Sequence, residues 1–280
     1  MKFLPTEEQC GMCEIRIDGK VLGDDDLKAL HTSKTFTRID ISSCSGVCDV
    51  RLLAGLKQLQ ELHLGVDGEI ENINLLSQLS ELRKLSLINT NIQDSDVRCL
   101  GLIQKLEGLS LRSCSRVTSC QCIGQLPLLR VLDLSFTGVT DEELLGLSTS
   151  CSLVKIGLWD CSDLTDVSPL ASIETLEVVD LDGCEGVKTV GALGRLPVLR
   201  ELDLSCSVIT DRELRGISAS RSLVRIEVKI WRGLPDVSPL ASIKTLKEVV
   251  LFACESVSGV LVCIRSLSID EFREGILRRR

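Results

Sequence analysis

The chain has 280 residues, 40 acidic against 32 basic, with a formal net charge of −8 and a pI near 5.0. Net acidity without a basic block argues against a protein whose main task is gripping nucleic acid or anionic lipid. Apolar residues make up 44%, too many for wholesale disorder, yet aromatics make up only 2% and Tyr is absent, so the core must rest on Leu, Ile and Val, and a Leu-rich chain of this size is searched first for repeats.

The opening segment, residues 1–11, reads as a polar leader. MKFLPTEEQC lacks the apolar stretch of a secretory signal, and no apolar run long enough to span a bilayer follows. The 14 Cys are therefore expected to stay reduced in an intracellular, cytoplasmic chain, with the nucleus left open. Cys10 and Cys13 form a C-x-x-C pair, which is half a zinc site or a redox pair. Structural zinc takes four ligands, and Cys120-Gln121-Cys122 has the wrong spacing to supply the rest. No metal is expected.

From residue 12 the frame L-x-x-L-x-L recurs. Leu129-Arg130-Val131-Leu132-Asp133-Leu134 is one copy and Leu199-Arg200-Glu201-Leu202-Asp203-Leu204 another. Frames begin at Met12, Phe36, Leu59, Leu82, Leu106, Leu129, Leu153, Leu176, Leu199, Leu223 and Leu246, and the eleven units fill positions 12–268 without a gap. The near-constant spacing and the frame itself are those of leucine-rich repeats. The alternating x-L-x-L stretch predicts a strand with its Leu pair facing inward, and the rest of each unit must return the chain to the next strand. The predicted fold is α/β, a leucine-rich-repeat solenoid (a horseshoe) with a concave parallel sheet and short convex helices or turns.

The returns are of two kinds. Cys44, Cys114, Cys161, Cys184 and Cys254 stand ninth in their frames, where a small side chain can satisfy a backbone group inside the turn. Thr90, Thr137 and Ser207 hold the same place in units whose returns are acidic, such as Thr140-Asp141-Glu142-Glu143-Leu144, predicting a helix capped by Thr140. In Asp166-Val167-Ser168-Pro169-Leu170 and Asp236-Val237-Ser238-Pro239-Leu240, Ser is the expected N-cap and Pro the first helical residue. The stretch 129–198 resembles 199–268, the mark of a duplicated block of three units. Asp24-Asp25-Asp26 falls where the first return helix is expected. Residues 269–280 read as a C-terminal cap or a truncated repeat, with Ile269 and Phe272 opening a twelfth frame.

His31 and His63 have no neighbouring nucleophile pattern, and no phosphate-binding loop or H-E-x-x-H motif occurs. No catalytic residue and no cofactor are expected, and the chain is read as a non-enzyme. The functional candidate is the concave face, where frame positions three, five and seven point outward. Position five supplies an acidic column of Asp133, Asp180, Asp203 and Glu227. Position three adds Lys155, Glu201 and Arg225, and position seven adds Trp159, Asp182, Lys229 and Phe252. Together these form the predicted partner-binding set, with Trp159 and Phe252 as aromatic anchors. Trp231 replaces a frame Cys, as a turn filler or as a second anchor.

The alternation of LxxLxLxxCxxVxDVSPL with LxxLDLSxTxVTDxEL units resembles the trypanosome expression-site-associated leucine-rich-repeat proteins. That resemblance implies an interaction scaffold regulating a signalling enzyme such as adenylate cyclase. Some members carry a ubiquitin-ligase zinc finger before the repeats, of which Cys10 and Cys13 would be the remnant. LTDVSPLASIETL also resembles bacterial internalin repeats, and the Cys-bearing units resemble those of F-box receptors. The alternative reading is therefore the substrate-recognition component of a ubiquitin ligase. Either way the expected partner is a protein, with no small-molecule substrate, nucleic acid or membrane insertion.

Overall fold

A computed structural model describes residues 14–33, 35–46, 48–65, 70–229, 237–252 and 265–277. The chain folds as two compact units, Met1–Thr137 and Gly138–Arg280. The first builds its sheet from β1 (Glu14–Val21), β2 (Arg38–Ser45), β4 (Glu61–Leu64), β6 (Lys84–Leu87), β7 (Gly108–Ser110) and β8 (Val131–Asp133), side by side in that order and all parallel. The short strands β3 (Cys48–Asp49) and β5 (Ile70–Glu71) pair separately. The second unit lines up β9 (Lys155–Gly157), β10 (Val178–Asp180), β11 (Glu201–Asp203), β12 (Arg225–Lys229) and β13 (Glu248–Phe252) in parallel. Its last strand, β14 (Arg265–Ser268), pairs antiparallel with β13, a reversal the frame does not announce. This is the architecture of a leucine-rich-repeat solenoid.

Register follows the frame. Lys155, Val178, Glu201, Arg225 and Glu248, each third in its unit, stand opposite one another on successive strands. Frame leucines such as Leu158, Leu181, Leu202 and Leu204 are buried. Each fully buried Leu contributes about 2 kcal/mol of transfer free energy, and repetition of that contact holds a core with few aromatics.

Returns take the two expected forms. Helices α1 (Asp24–Ser33), α2 (Asp94–Leu100), α3 (Asp141–Leu147) and α4 (Asp211–Ile217) follow acidic returns. The first turns of α2, α3 and α4 carry carboxylates, a favourable placement for the helix dipole. The Thr140 side chain makes no capping hydrogen bond, contrary to its expected role. The two SPLAS returns, Ser168–Ser172 and Ser238–Ser242, are 3₁₀ turns that open one residue earlier than expected. Val167 and Val237 occupy the cap, and Pro sits second inside the turn. The Asp166 carboxylate takes over as acceptor for the Ser168 amide at 2.8 Å. So short a return leaves no room for an α-helix and closes with the tighter i to i+3 bonding. Helices α3 and α4 hold matching places in the two copies of the duplicated block, as do the SPLAS turns. The duplication is therefore visible in the fold.

At the far end α5 (Ile269–Leu277) buries Phe272. Arg273 donates from Nε to the Ala241 carbonyl and from Nη2 to the Ile243 carbonyl, both at 3.1 Å, tying the helix to the last 3₁₀ turn. Among the described residues no helix is long and apolar enough to cross a membrane.

Candidate functional site: the outward sheet face

Six successive strands, β6 to β11, exit through the same device. In six consecutive units the eighth frame residue (Asn89, Ser113, Phe136, Asp160, Gly183 and Cys206) has a positive φ between 54° and 75°. The left-handed residue turns the chain off the sheet without breaking the ladder. The Asp160 amide still donates to the Asp182 carbonyl at 2.8 Å, and the Gly183 amide to that of Ser205 at 3.0 Å. At 183 the absence of a side chain also leaves room: a Cβ there would lie 3.3 Å from Cδ1 of Trp159 and from backbone atoms of Asp160. The missing side chain gives the Trp159 ring its seat.

The acidic column has a structural role as well as a charge. Oδ1 of Asp180 accepts the Asp182 amide at 3.1 Å, and Oδ1 of Asp203 accepts the Ser205 amide at 2.9 Å. In the first unit Asp133 accepts both the amide (3.0 Å) and the hydroxyl (2.6 Å) of Ser135, and Asp40 holds Ser42 in the same way. An Asp at position five thus steadies the backbone two residues on. This corrects the expectation for position seven: Ser135 and Ser205 are only 2% and 0% exposed, because they already belong to the strand exit. Trp159, at the same position, is 37% exposed.

Of the predicted set, the structure places Lys155, Trp159, Asp180, Asp182, Glu201, Asp203, Arg225 and Glu227 on or beside adjacent strands β9–β12 of the second unit. Lys155, Trp159 and Glu201 are exposed; Asp180, Asp182, Asp203, Arg225 and Glu227 are half-buried. Asp133 lies on β8 of the first unit, where its Oδ2 accepts the Ser110 hydroxyl at 3.2 Å. Lys229 and Phe252 end β12 and β13. Cys10, Cys13, Trp231, Cys254 and Cys263 lie outside the described residues.

Charge is distributed unevenly. In the first unit Glu61 meets cations. Glu61 is flanked by Arg38 at 3.7 Å, Lys84 at 3.7 Å and His63 at 2.7 Å, and burial opposes its ionisation less than these partners favour it, so its carboxyl lies below the usual range. In the second unit Arg225 pairs with Glu227 and, at 2.9 Å, with Glu248. Asp180 is in a different position. Burial, then the like charges of Asp203 and Asp182, push its carboxyl above the usual range against the pull of Lys155 and the Asp182 amide. Folding therefore favours protonated Asp180. Its stabilising share is complete below the unfolded value near pH ~4 and is lost as pH rises through the folded one. Asp180→Asn keeps an oxygen for the Asp182 amide and removes the charge. It is expected to raise stability at pH 7 by about 0.5–1 kcal/mol after allowance for solvent screening. The gain should fade below pH ~4, which denaturant titrations at several pH values would show.

The frame cysteines answer to structure. Cys184 Sγ donates to the Leu158 carbonyl at 3.0 Å, Cys114 to Leu87 at 3.0 Å and Cys44 to Ile17 at 3.2 Å, each reaching the sixth frame residue of the preceding unit. Thr90 closes on its own Leu87 carbonyl at 2.7 Å, which also takes the Cys114 thiol. Burial pushes the Cys184 thiol up to about 12, so it is a poor nucleophile and metal ligand. Cys161 is buried as well. Among the described residues no group of three or more His, Cys, Asp or Glu stands together as metal ligands. His31 Nδ1 bonds the Leu52 carbonyl at 3.0 Å and His63 Nε2 the Glu61 carboxylate at 2.7 Å.

No family model matches the chain, and no curated protein matches it. Solved structures do. An internalin of Listeria monocytogenes superposes with a TM-score of 0.54 at 16% identity, over 87% of this chain and 88% of that one. A leucine-rich-repeat protein of Leptospira interrogans gives 0.47 at 16% identity, covering 91% and 88%. A plant peptide-hormone receptor solved with its peptide gives 0.46 at 15%, covering 88% of this chain and 48% of the receptor. The internalin likeness supports the fold and carries no activity with it.

Proposed function

We propose that the chain is a non-enzymatic interaction scaffold that holds a protein partner on the outward sheet face of its second unit. The observation that carries this reading is Trp159, an exposed aromatic seated on Gly183 at the edge of a charged face. Exposed Trp within a polar surround is the residue type that most often anchors a protein interface. The trypanosome resemblance makes the partner a signalling enzyme such as adenylate cyclase, and the reading places the scaffold inside the cell as a regulator.

Binding of the purified chain to adenylate cyclase catalytic domains, followed by calorimetry, tests both levels. Trp159→Ala is expected to weaken the complex by about 2 kcal/mol or more, and Asp180→Lys with Asp203→Lys to abolish it. Binding that ignores all three changes rejects the face. No binding to the cyclase domains, with a different partner lost on the same changes, keeps the face and rejects the cyclase.

A further inference from the structure

Resting on that reading, we infer that the partner presents an arginine-bearing extended segment, whose cation is received between Asp180 and Asp203 and flanked by Trp159. Three observations converge on this occupant.

The first is charge. Between Lys155 on β9 and Arg225 on β12, the outward positions carry Asp180, Asp182, Glu201 and Asp203 and no cation. Arg225 is committed to Glu227 and Glu248. The first unit shows how this fold neutralises a face when its own residues do so, with Arg38 and Lys84 gathered about Glu61. Asp180 has instead like charges for neighbours, and Lys155 only offsets them in part. A partner that brings a cation completes the pattern.

The second is spacing. Asp180 and Asp203 are register partners on adjacent parallel strands. Such strands lie about 4.8 Å apart, and a guanidinium fork donates to two acceptors at once where an ammonium acts as a point charge. Each carboxylate already has one oxygen engaged by a backbone amide, Asp182 for Asp180 and Ser205 for Asp203. Both are thereby held in fixed orientation before any partner arrives.

The third is the aromatic. Trp159 lies in the turn just past β9, next to Gly183, with Asp160 following it and Asp182 in the adjacent strand exit. An exposed indole among carboxylates favours a cation over its face. An acidic segment would meet the like charges of Asp182 and Asp203, which after burial help to raise the Asp180 carboxyl.

The chain has two Trp and no Tyr, so Trp231→Phe leaves Trp159 as the sole strong fluorophore. The intact chain in that background is titrated with a hexa-arginine peptide and with hexa-glutamate. Saturable change in Trp159 emission is expected with hexa-arginine alone. Asp180→Asn with Asp203→Asn keeps both amide acceptors and is expected to weaken binding roughly fivefold or more. Glu142→Gln with Glu174→Gln removes the same charge from exposed returns and is expected to leave affinity unchanged. Equal weakening by the two double variants would reduce the effect to net charge and overturn the proposal, as would titration with no Trp159 response. A cyclase or other partner released by Trp159→Ala but not displaced by hexa-arginine would leave the scaffold standing and reject the arginine segment.

Discussion

Gly194→Val is expected to lower the stability of the second unit by about 3 kcal/mol, near the upper end for overpacking. Gly194 lies in the 3₁₀ turn Gly191–Arg195, against which α4 packs. A Cβ at 194 would lie 2.3 Å from the Gly216 carbonyl oxygen and 2.8 Å from Cα of Ile217, and one at 216 would lie 2.5 Å from Cα of Gly191. Every one of these atoms is backbone, so no side-chain rotation relieves the contact and the two returns must separate. Separation would strip cover from Leu193, Leu214 and Ile217, all fully buried. It would also pull Glu213 away from the Val190 and Gly191 amides, which it accepts at 2.9 and 2.6 Å. Gly23→Ala is the control, since a Cβ there meets nothing within 4 Å, and it is expected to stay within about 0.5 kcal/mol of the parent chain. Urea denaturation of both variants, followed by circular dichroism, gives the comparison. A loss under about 1 kcal/mol for Gly194→Val would mean that the returns slide freely past each other.

That close approach was not legible in the sequence, because a Gly in a return reads the same whether it turns the chain or lets another segment near. The strands were legible for the opposite reason. A buried Leu pair has to recur once in every unit if identical units are to stack, so periodicity and core are one signal. The acidic column was legible as positions but not as chemistry. Asp180 and Asp203 show as outward residues from alternation alone, whereas their hold on the amides two residues later appears only when the strand exit is seen. Trp159 was predictable as an outward aromatic, and Gly183 as its seat was not, since the two meet across units through a left-handed turn. The Ser168 cap was misplaced by one residue because Asp166, read as part of the return, supplies the acceptor.

Asp141→Ala is expected to cost about 2 kcal/mol at pH 7, more than an exposed helix-terminal acid ordinarily would. Asp141 opens α3, and the sequence casts it as a partner for the helix dipole. In the structure its Oδ1 accepts the amides of Thr165 (2.8 Å) and Asp166 (3.0 Å), and its Oδ2 accepts the Thr165 hydroxyl at 2.6 Å. Asp94 at the start of α2 repeats the arrangement with Thr118 and Ser119, all three bonds at 2.8 Å. Each carboxylate thus ties its return to that of the following repeat. Burial works against ionisation at Asp141, but the bonds from Asp166 and Thr165 outweigh it and hold the carboxyl below the usual range. Its stabilisation is therefore present above the unfolded value near pH ~4 and is lost as pH falls through the folded one, so the Asp141→Ala deficit should shrink in acid while that of Gly194→Val persists. The duplicated block supplies the reverse experiment. Asp211 is the counterpart of Asp141 in the second copy, and its Oδ1 is buried with no hydrogen-bond partner among the described residues. The residue matching Thr165 is Pro235, which has neither an amide hydrogen nor a hydroxyl. Pro235→Thr restores both donors and is expected to raise stability by about 1 kcal/mol, with the gain abolished when Asp211→Ala is added. An equal gain in the presence and absence of the Asp211 carboxylate would show that Thr165 and Asp141 owe their pairing to something other than the donors that Pro235 lacks.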